Sequence, residues 1–284
     1  MHKRPRTEPQ AAALIKARAA LRRKHTCERC GDDDPSCGLQ KHSDARISTR
    51  VEDGVPHRFC ISCLHFFKWL DTRQGIEQRL HTLFTEHTPF FILDTETTGL
   101  LESRTCQIVE VALIDQDGQV LFHSLCKPDI PMPDSATEVN GITDALLVDA
   151  PSFVQIWPDL VQLLASTPVP LYAWNADFDR EVLLRTAKRF GLLVPEALRD
   201  TKRWNCAMKL HARWYGEWSN GRKDYRWQPL KWACMDLEIQ ENEQQHRALG
   251  DVQNTLGVLR ALAGRAQSNH PLPTEMPFHD RFYG

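Results

Sequence analysis

Residues 90–100 read FFILDTETTGL, and the stretch changes character at its middle. The apolar run from Phe90 to Leu93, entered from Pro89, predicts a buried strand bounded by a chain breaker. Asp94 and Glu96 follow one residue apart, so the two-residue period of a strand puts both carboxyls on one side of the sheet. Two acids held side by side repel unless a cation lies between them, which makes the pair candidate metal ligands. Gly99 then supplies backbone freedom for the turn that leaves the strand. A lone Asp at a strand end is usually a cap or turn residue, so this reading needs further acids to join the pair.

They follow in order along the chain. The short apolar strand PLYAW (170–174) leads into WNADFD (174–179), which presents Asp179, and HRALGD (246–251) presents His246 and Asp251 at the start of the last amphipathic helix. Acids at strand ends and helix starts of an α/β sheet can converge on a single edge. Asp177 and Asp200 are read as ordinary cap and turn residues.

Outward from this core the chain alternates strands and helices. QIVEVALID (107–115) and QVLFHSLCK (119–127) read as two further strands, joined as a hairpin by DQDG (115–118). After the Pro-rich stretch KPDIPMPDSATEVNGIT come the helical patterns PSFVQIWPDLVQLLA (151–165) and DFDREVLLRTAKRF (177–190). QPLKWACMDL begins with Pro229 at a helix start, and HRALGDVQNTLGVLRALAG closes the pattern at Gly264. Between Asp200 and Trp232 rings such as Trp204, Trp214 and Trp227 interleave with Lys and Arg; they either stack on bases or close the core around the last two helices. No repeat of about 20–50 residues is present, which excludes a solenoid.

The motifs DTETTGL, WNADFD and HRALGD, in this order, resemble the DEDDh superfamily of 3′–5′ exonucleases, which includes the proofreading subunit of bacterial replicative polymerase and ribonuclease T. The similarity runs from about Pro89 to Ala263 and extends to EVNGIT and RWQPLKWAC. It implies an α/β, ribonuclease H-like fold: a mixed five-stranded sheet flanked by helices, with an antiparallel strand near residues 108–115. It also implies a hydrolase holding two Mg²⁺ or Mn²⁺ ions on Asp94, Glu96, Asp179 and Asp251, with His246 as general base. Thr97, Thr98, Leu100 and Asn175 are then the expected substrate contacts, Leu100 wedging against the 3′-terminal base. Many members carry His before that Asn, where this chain has Trp174.

The remaining residues predict a separate module. Cys27, Cys30, Cys60 and Cys63, in CERC and CISC, have the spacing of two thiolate pairs closing a structural Zn²⁺ site, with Cys37, His42 and His57 as alternative ligands. With CISC opening a helix, the module resembles a treble-clef zinc finger. Met1 to Lys24 carry Lys3, Arg4, Arg6, Lys16, Arg18, Arg22, Arg23 and Lys24 against a lone Glu8, and predict a basic helix. The expected organisation is therefore 1–85 for the basic helix and zinc module, 86–264 for the exonuclease domain and 265–284 for an extended tail.

A net charge of −2 over 284 residues excludes a global basic field, so contact with nucleic acid must be local. No apolar run reaches the roughly 18 residues of a membrane span, and a cytoplasmic enzyme is expected. Expected partners are single-stranded or 3′-ended nucleic acid, DNA ahead of RNA, and a protein docking on the zinc module. The competing expectations are an RNA-directed exonuclease of the same superfamily and a non-catalytic docking scaffold.

Overall fold

The computed structural model describes residues 48–52, 55–59, 61–103, 105–219, 221, 223–240 and 246–267. The basic segment Met1 to Lys24, residues Cys27, Cys30 and Cys60, and the tail after residue 267 lie outside the described residues. The chain divides into two compact units, the smaller formed by Met1–Thr72, Trp218–Asp224 and Pro273–Gly284, the larger by Arg73–Glu217 and Tyr225–Leu272.

In the smaller unit β1 (Ser48–Glu52) pairs antiparallel with β2 (Val55–Phe59), Ser48 lying opposite Phe59. Helix α1 (Ile61–Thr85) begins within CISC, so Cys63 falls in its first turn, although its side chain is outside the description. Phe66 and Trp69, on the same helix, are buried and meet edge-on.

The larger unit is built on five strands, β3 (Phe91–Thr97), β4 (Ile108–Asp115), β5 (Val120–Leu125), β6 (Leu171–Ala173) and β7 (Trp204–Cys206), in the order β5-β4-β3-β6-β7. β4 runs antiparallel to both β3 and β5, whereas β6 is parallel to β3 and β7 to β6. This is the mixed five-stranded sheet expected, with β4 as the reversed strand. The connections are α2 (Asp134–Asn140), α3 (Asp144–Leu147), α4 (Phe153–Ser166), α5 (Ala176–Arg189), α6 (Glu196–Arg199), α7 (Ala207–Tyr215), α8 (Leu230–Asp236) and α9 (Ala248–Arg265). Two short strands, β8 (Trp218–Ser219) and β9 (Asp224–Tyr225), pair with each other.

Alternation along the central strands sorts side chains onto two helical layers. Ile92, Ala112 and Ile114 pack with Val252, Leu256 and Leu259 of α9, while Leu93, Val111 and Leu113 pack with Phe153 and Leu160 of α4 and with Val182 and Leu183 of α5. A strand covered on both faces reads as continuous apolar sequence, and β4 is buried along nearly its whole length. Each such side chain contributes about 1.5–3 kcal/mol through burial.

Local chemistry fixes the joints. Asp115 Oδ1 accepts from the backbone N–H groups of Asp117 and Gln119, 3.0 and 2.8 Å away, and so folds the DQDG turn between β4 and β5. Ser152 and Gln155 form a capping box at the start of α4. Gly141, at φ +68°, ends α2 in the left-handed conformation. β7 and α7 occupy the Trp-rich segment for which no element was expected.

Candidate active site

The same alternation that builds the core places the acids. Positions 92, 94 and 96 of β3 face the α9 layer, so Asp94 and Glu96 stand on that side, just beyond Ile92. Asp251 lies in the first turn of α9 and reaches them. One carboxylate oxygen from each of Asp94, Glu96 and Asp251 can be chosen so that all lie within 4.8 Å of one another. The three are half-buried.

Asp179 arrives from the other layer. It lies in the first turn of α5, is buried, and accepts hydrogen bonds from the Thr95 backbone N–H (3.1 Å) and hydroxyl (2.8 Å). Thr95 alternates with Asp94 and Glu96 along β3, so it faces α5 while they face α9. The structure therefore gathers three of the four expected acids within 4.8 Å, and anchors the fourth beside them through the intervening threonine.

The electrostatics follow from burying several acids together. Burial, followed by repulsion from Asp179, Glu96, Asp251 and Glu110, holds the Asp94 carboxyl well above the usual range. Burial and then Asp251, Glu110 and Asp179 push Glu96 up to about 9. Burial raises Asp179 to about 7 against the opposing hydrogen bonds from Thr95. A trio of converging carboxylates in a half-buried site, in which Asp251 disfavours the ionisation of Asp94 and Glu96, is a donor set for a hard divalent cation.

His246 is exposed and lies in the turn before α9 with φ +56°, a left-handed backbone that few non-glycine residues adopt. Of the expected substrate contacts, Leu100 is 70 % exposed, whereas the hydroxyls of Thr97 and Thr98 are engaged in the loop itself. Thr97 donates to the Gly99 carbonyl at 2.7 Å, and Thr98 accepts from the Gln107 N–H at 3.0 Å. Gly99 sits at φ +152°, where a side chain would be strained. Asn175 is the N-cap of α5, and its carbonyl accepts from the N–H groups of Phe178 and Asp179.

Two contributors escaped the sequence reading. Asn140, the buried Asn of EVNGIT, donates to the Thr97 carbonyl at 3.2 Å and bonds the Glu96 carboxylate, opposing its upward shift. Glu110 lies directly across from Glu96 in the β3–β4 register and is fully buried. Its signal was an acid in the middle of an otherwise apolar strand, QIVEVALID. In the Trp-rich segment, Trp204 packs into the core and donates to the Leu198 carbonyl at 3.1 Å, and Trp214 is buried against Glu77, whereas Trp227 and Trp232 are exposed.

Residues 91–259 match the family described as Exonuclease (RNase_T). The chain is 38 % identical over 194 residues to an uncharacterized exonuclease, CP81, of Escherichia phage 186, covering 68 % of this chain and 96 % of that protein. It is also 38 % identical over 101 residues to the DNA polymerase III subunit epsilon of Treponema pallidum, a match covering 34 % of this chain and 46 % of the subunit. Among solved structures, the nuclease domain of 3′hExo, a DEDDh family member bound to rAMP, superposes with a TM-score of 0.50 at 18 % identity, covering 66 % of this chain and 97 % of that one. E. coli Exonuclease I in complex with a dT13 oligonucleotide superposes with a TM-score of 0.52 at 19 % identity, over 63 % of this chain and 41 % of that one. At these identities the structural likeness establishes the shared fold.

Proposed function

The chain belongs to the exonuclease family, and from that premise we propose that it removes nucleotides from the 3′ end of DNA by metal-dependent phosphodiester hydrolysis. The observation that carries the reading is the convergence of Asp94, Glu96 and Asp251, from two elements far apart in sequence, within 4.8 Å. The likeness to a DNA polymerase III subunit epsilon supports DNA as the substrate.

Asp94, Glu96, Asp179 and Asp251 are the residues that would hold two Mg²⁺ or Mn²⁺ ions. Bound there, such ions supply charge neutralisation on the phosphoryl oxygens, a nucleophilic water at neutral pH and stabilisation of the leaving 3′ oxygen. His246 takes up the proton of the attacking water on a ring nitrogen, for which an exposed imidazole in the turn that leads into α9 and Asp251 is suited. Thr95 fixes the orientation of Asp179, and Asn140 that of Glu96. Leu100 wedges against the 3′-terminal base, while Thr97 and Thr98 shape the loop that carries it, and Asn175 borders the same end of the substrate.

Ahead of this domain, Cys27, Cys30, Cys60 and Cys63 would hold one structural Zn²⁺, and this module with the basic segment Met1 to Lys24 would dock nucleic acid or a protein. The paired thiolates, which need a reducing compartment, support a cytoplasmic location. Among the described residues no helix is long and apolar enough to cross a membrane.

The test is degradation of matched single-stranded DNA and RNA oligomers, labelled at either the 3′ or the 5′ end, with Mg²⁺ or Mn²⁺. The expected result is release of mononucleotides from the 3′ end, faster on DNA. Faster release from RNA would transfer the reading to an exoribonuclease, and no cleavage of either polymer under any of these conditions would favour a docking scaffold.

A further inference from the structure

Glu110 is an acid in the active-site neighbourhood with no coordination left to offer. Its Oε2 accepts from Arg247 Nε at 2.9 Å and from the Ala248 backbone N–H at 3.1 Å; its Oε1 accepts from Arg247 Nη2 at 2.9 Å and lies 2.8 Å from His123 Nε2. A carboxylate has about four acceptor positions, and all four are taken. The Arg247 fork is bidentate, the geometry that binds a carboxylate most tightly and with a fixed direction.

What this clamp holds is the start of α9. A helix leaves its first N–H groups without internal partners, and at α9 the N-cap residue, Arg247, provides no side-chain cap. Glu110, on β4 beneath α9, supplies an acceptor for one of them, the Ala248 N–H. Immediately before Arg247 stands His246 in its left-handed conformation, a state that persists only where the surrounding structure enforces it. Asp251 follows within the same first helical turn. The clamp thus grips Arg247 and Ala248, the first two of the four residues between the proposed base and the third acid of the trio.

We propose that Glu110 and Arg247 are positioning residues for the exonuclease site: their ion pair holds the His246 turn and the first turn of α9 in register with Asp94 and Glu96. The same pair keeps the carboxylate of Glu110, directly opposite Glu96, from joining the cation-binding set. The proposal rests on the reading of His246 as the base, and it assigns a function to two residues that touch neither substrate nor cation.

Four full-length variants test it, Glu110→Gln, Arg247→Lys, Arg247→Met and His246→Ala, together with Glu110→Gln combined with His246→Ala. Two readouts are needed: kcat and KM on a 3′-labelled single-stranded oligomer, and amide hydrogen exchange of residues 246–251 in the metal-free protein. The expected result is a kcat lowered at least about tenfold by Glu110→Gln with KM held within about twofold, since small misplacements of reacting groups act on turnover. Exchange at the start of α9 should quicken, and Arg247→Lys should retain more turnover than Arg247→Met. The double variant should fall below His246→Ala by less than the full Glu110→Gln loss, because part of the clamp's effect passes through that residue. Wild-type kcat in both Glu110→Gln and Arg247→Met, or unchanged exchange, would overturn the proposal, as would a double variant whose losses multiply in full. A His246→Ala protein with normal turnover would instead overturn the base assignment and leave exchange to decide the clamp.

Discussion

Glu96 at the end of β3 and Glu110 in the middle of β4 are cross-strand partners, the same residue type on the same face of one sheet, yet their surroundings drive them in opposite directions. Glu96 is pushed up to about 9 by burial and by Asp251, Glu110 and Asp179. Glu110 is also desolvated, but hydrogen bonds from Arg247, His123 and the Ala248 N–H outweigh that penalty and hold it below the usual carboxylate range. Burial alone therefore does not mark a metal ligand. The distinguishing feature is whether the protein supplies a cationic partner, as it does for Glu110, or sets carboxylates to raise one another, as it does for Asp94 and Glu96.

The largest effect expected concerns the residue that belongs to neither group. His246→Ala should lower turnover by roughly 10²–10⁴-fold, the usual worth of a positioned acid–base group, while leaving the Mn²⁺ titration midpoint in place. A parallel loss of Mn²⁺ affinity would move His246 into the ligand set.

The comparison itself predicts stability changes of opposite sign in the metal-free protein. Glu110→Gln breaks a part-buried, charge-assisted pair and should cost about 2 kcal/mol, whereas Glu96→Gln relieves repulsion and should raise stability. Urea denaturation of the two variants beside the wild type reads both; two losses of equal size would erase the distinction.

A third buried group shows desolvation acting without charged neighbours as its cause. His211, packed among Trp174, Trp214 and Tyr215, has no hydrogen-bond partner for either ring nitrogen among the described residues, and the nearest acid, Asp236, is 3.9 Å away. Burial lowers it to about 4. The unfolded chain takes up a proton near pH 6.5 that the folded chain refuses until about pH 4, so this histidine erodes stability as pH falls through that window. The loss reaches up to about 3 kcal/mol. Comparing wild type with His211→Phe at pH 7.5 and 4.5 isolates it: the variant should show the smaller loss on acidification, and equal losses would mean that the imidazole is not kept neutral.

The smallest effect is expected at Thr95→Val, which removes the hydroxyl bond to Asp179 but keeps the backbone one. It should cost about 1.5 kcal/mol in the same denaturation assay.

How much of this was legible in the sequence follows from the range of each interaction. Asp94 and Glu96 were readable as a pair because strand alternation is local, and β4 and the DQDG hairpin announced themselves for the same reason. The approach of Asp179 from the α5 layer was not, because it depends on which helix covers which face. Glu110 drew no reading within its apolar strand, because its register with Glu96 and its reach to Arg247 are not local. β7 has only three half-buried residues, too short for a period, so the fifth strand stayed hidden in the Trp-rich segment. Arg247 sat in plain view within HRALGD, but its partner lies 137 positions away.

The central claim is that the converging acids bind the cations on which hydrolysis depends. Its most direct test is a calorimetric Mn²⁺ titration of wild type and Asp94→Asn, with 3′-end cleavage followed on the same samples. The account predicts saturable binding and cleavage in the wild type, both lost together in the variant. A variant that still degrades the 3′ end at the wild-type rate would contradict it.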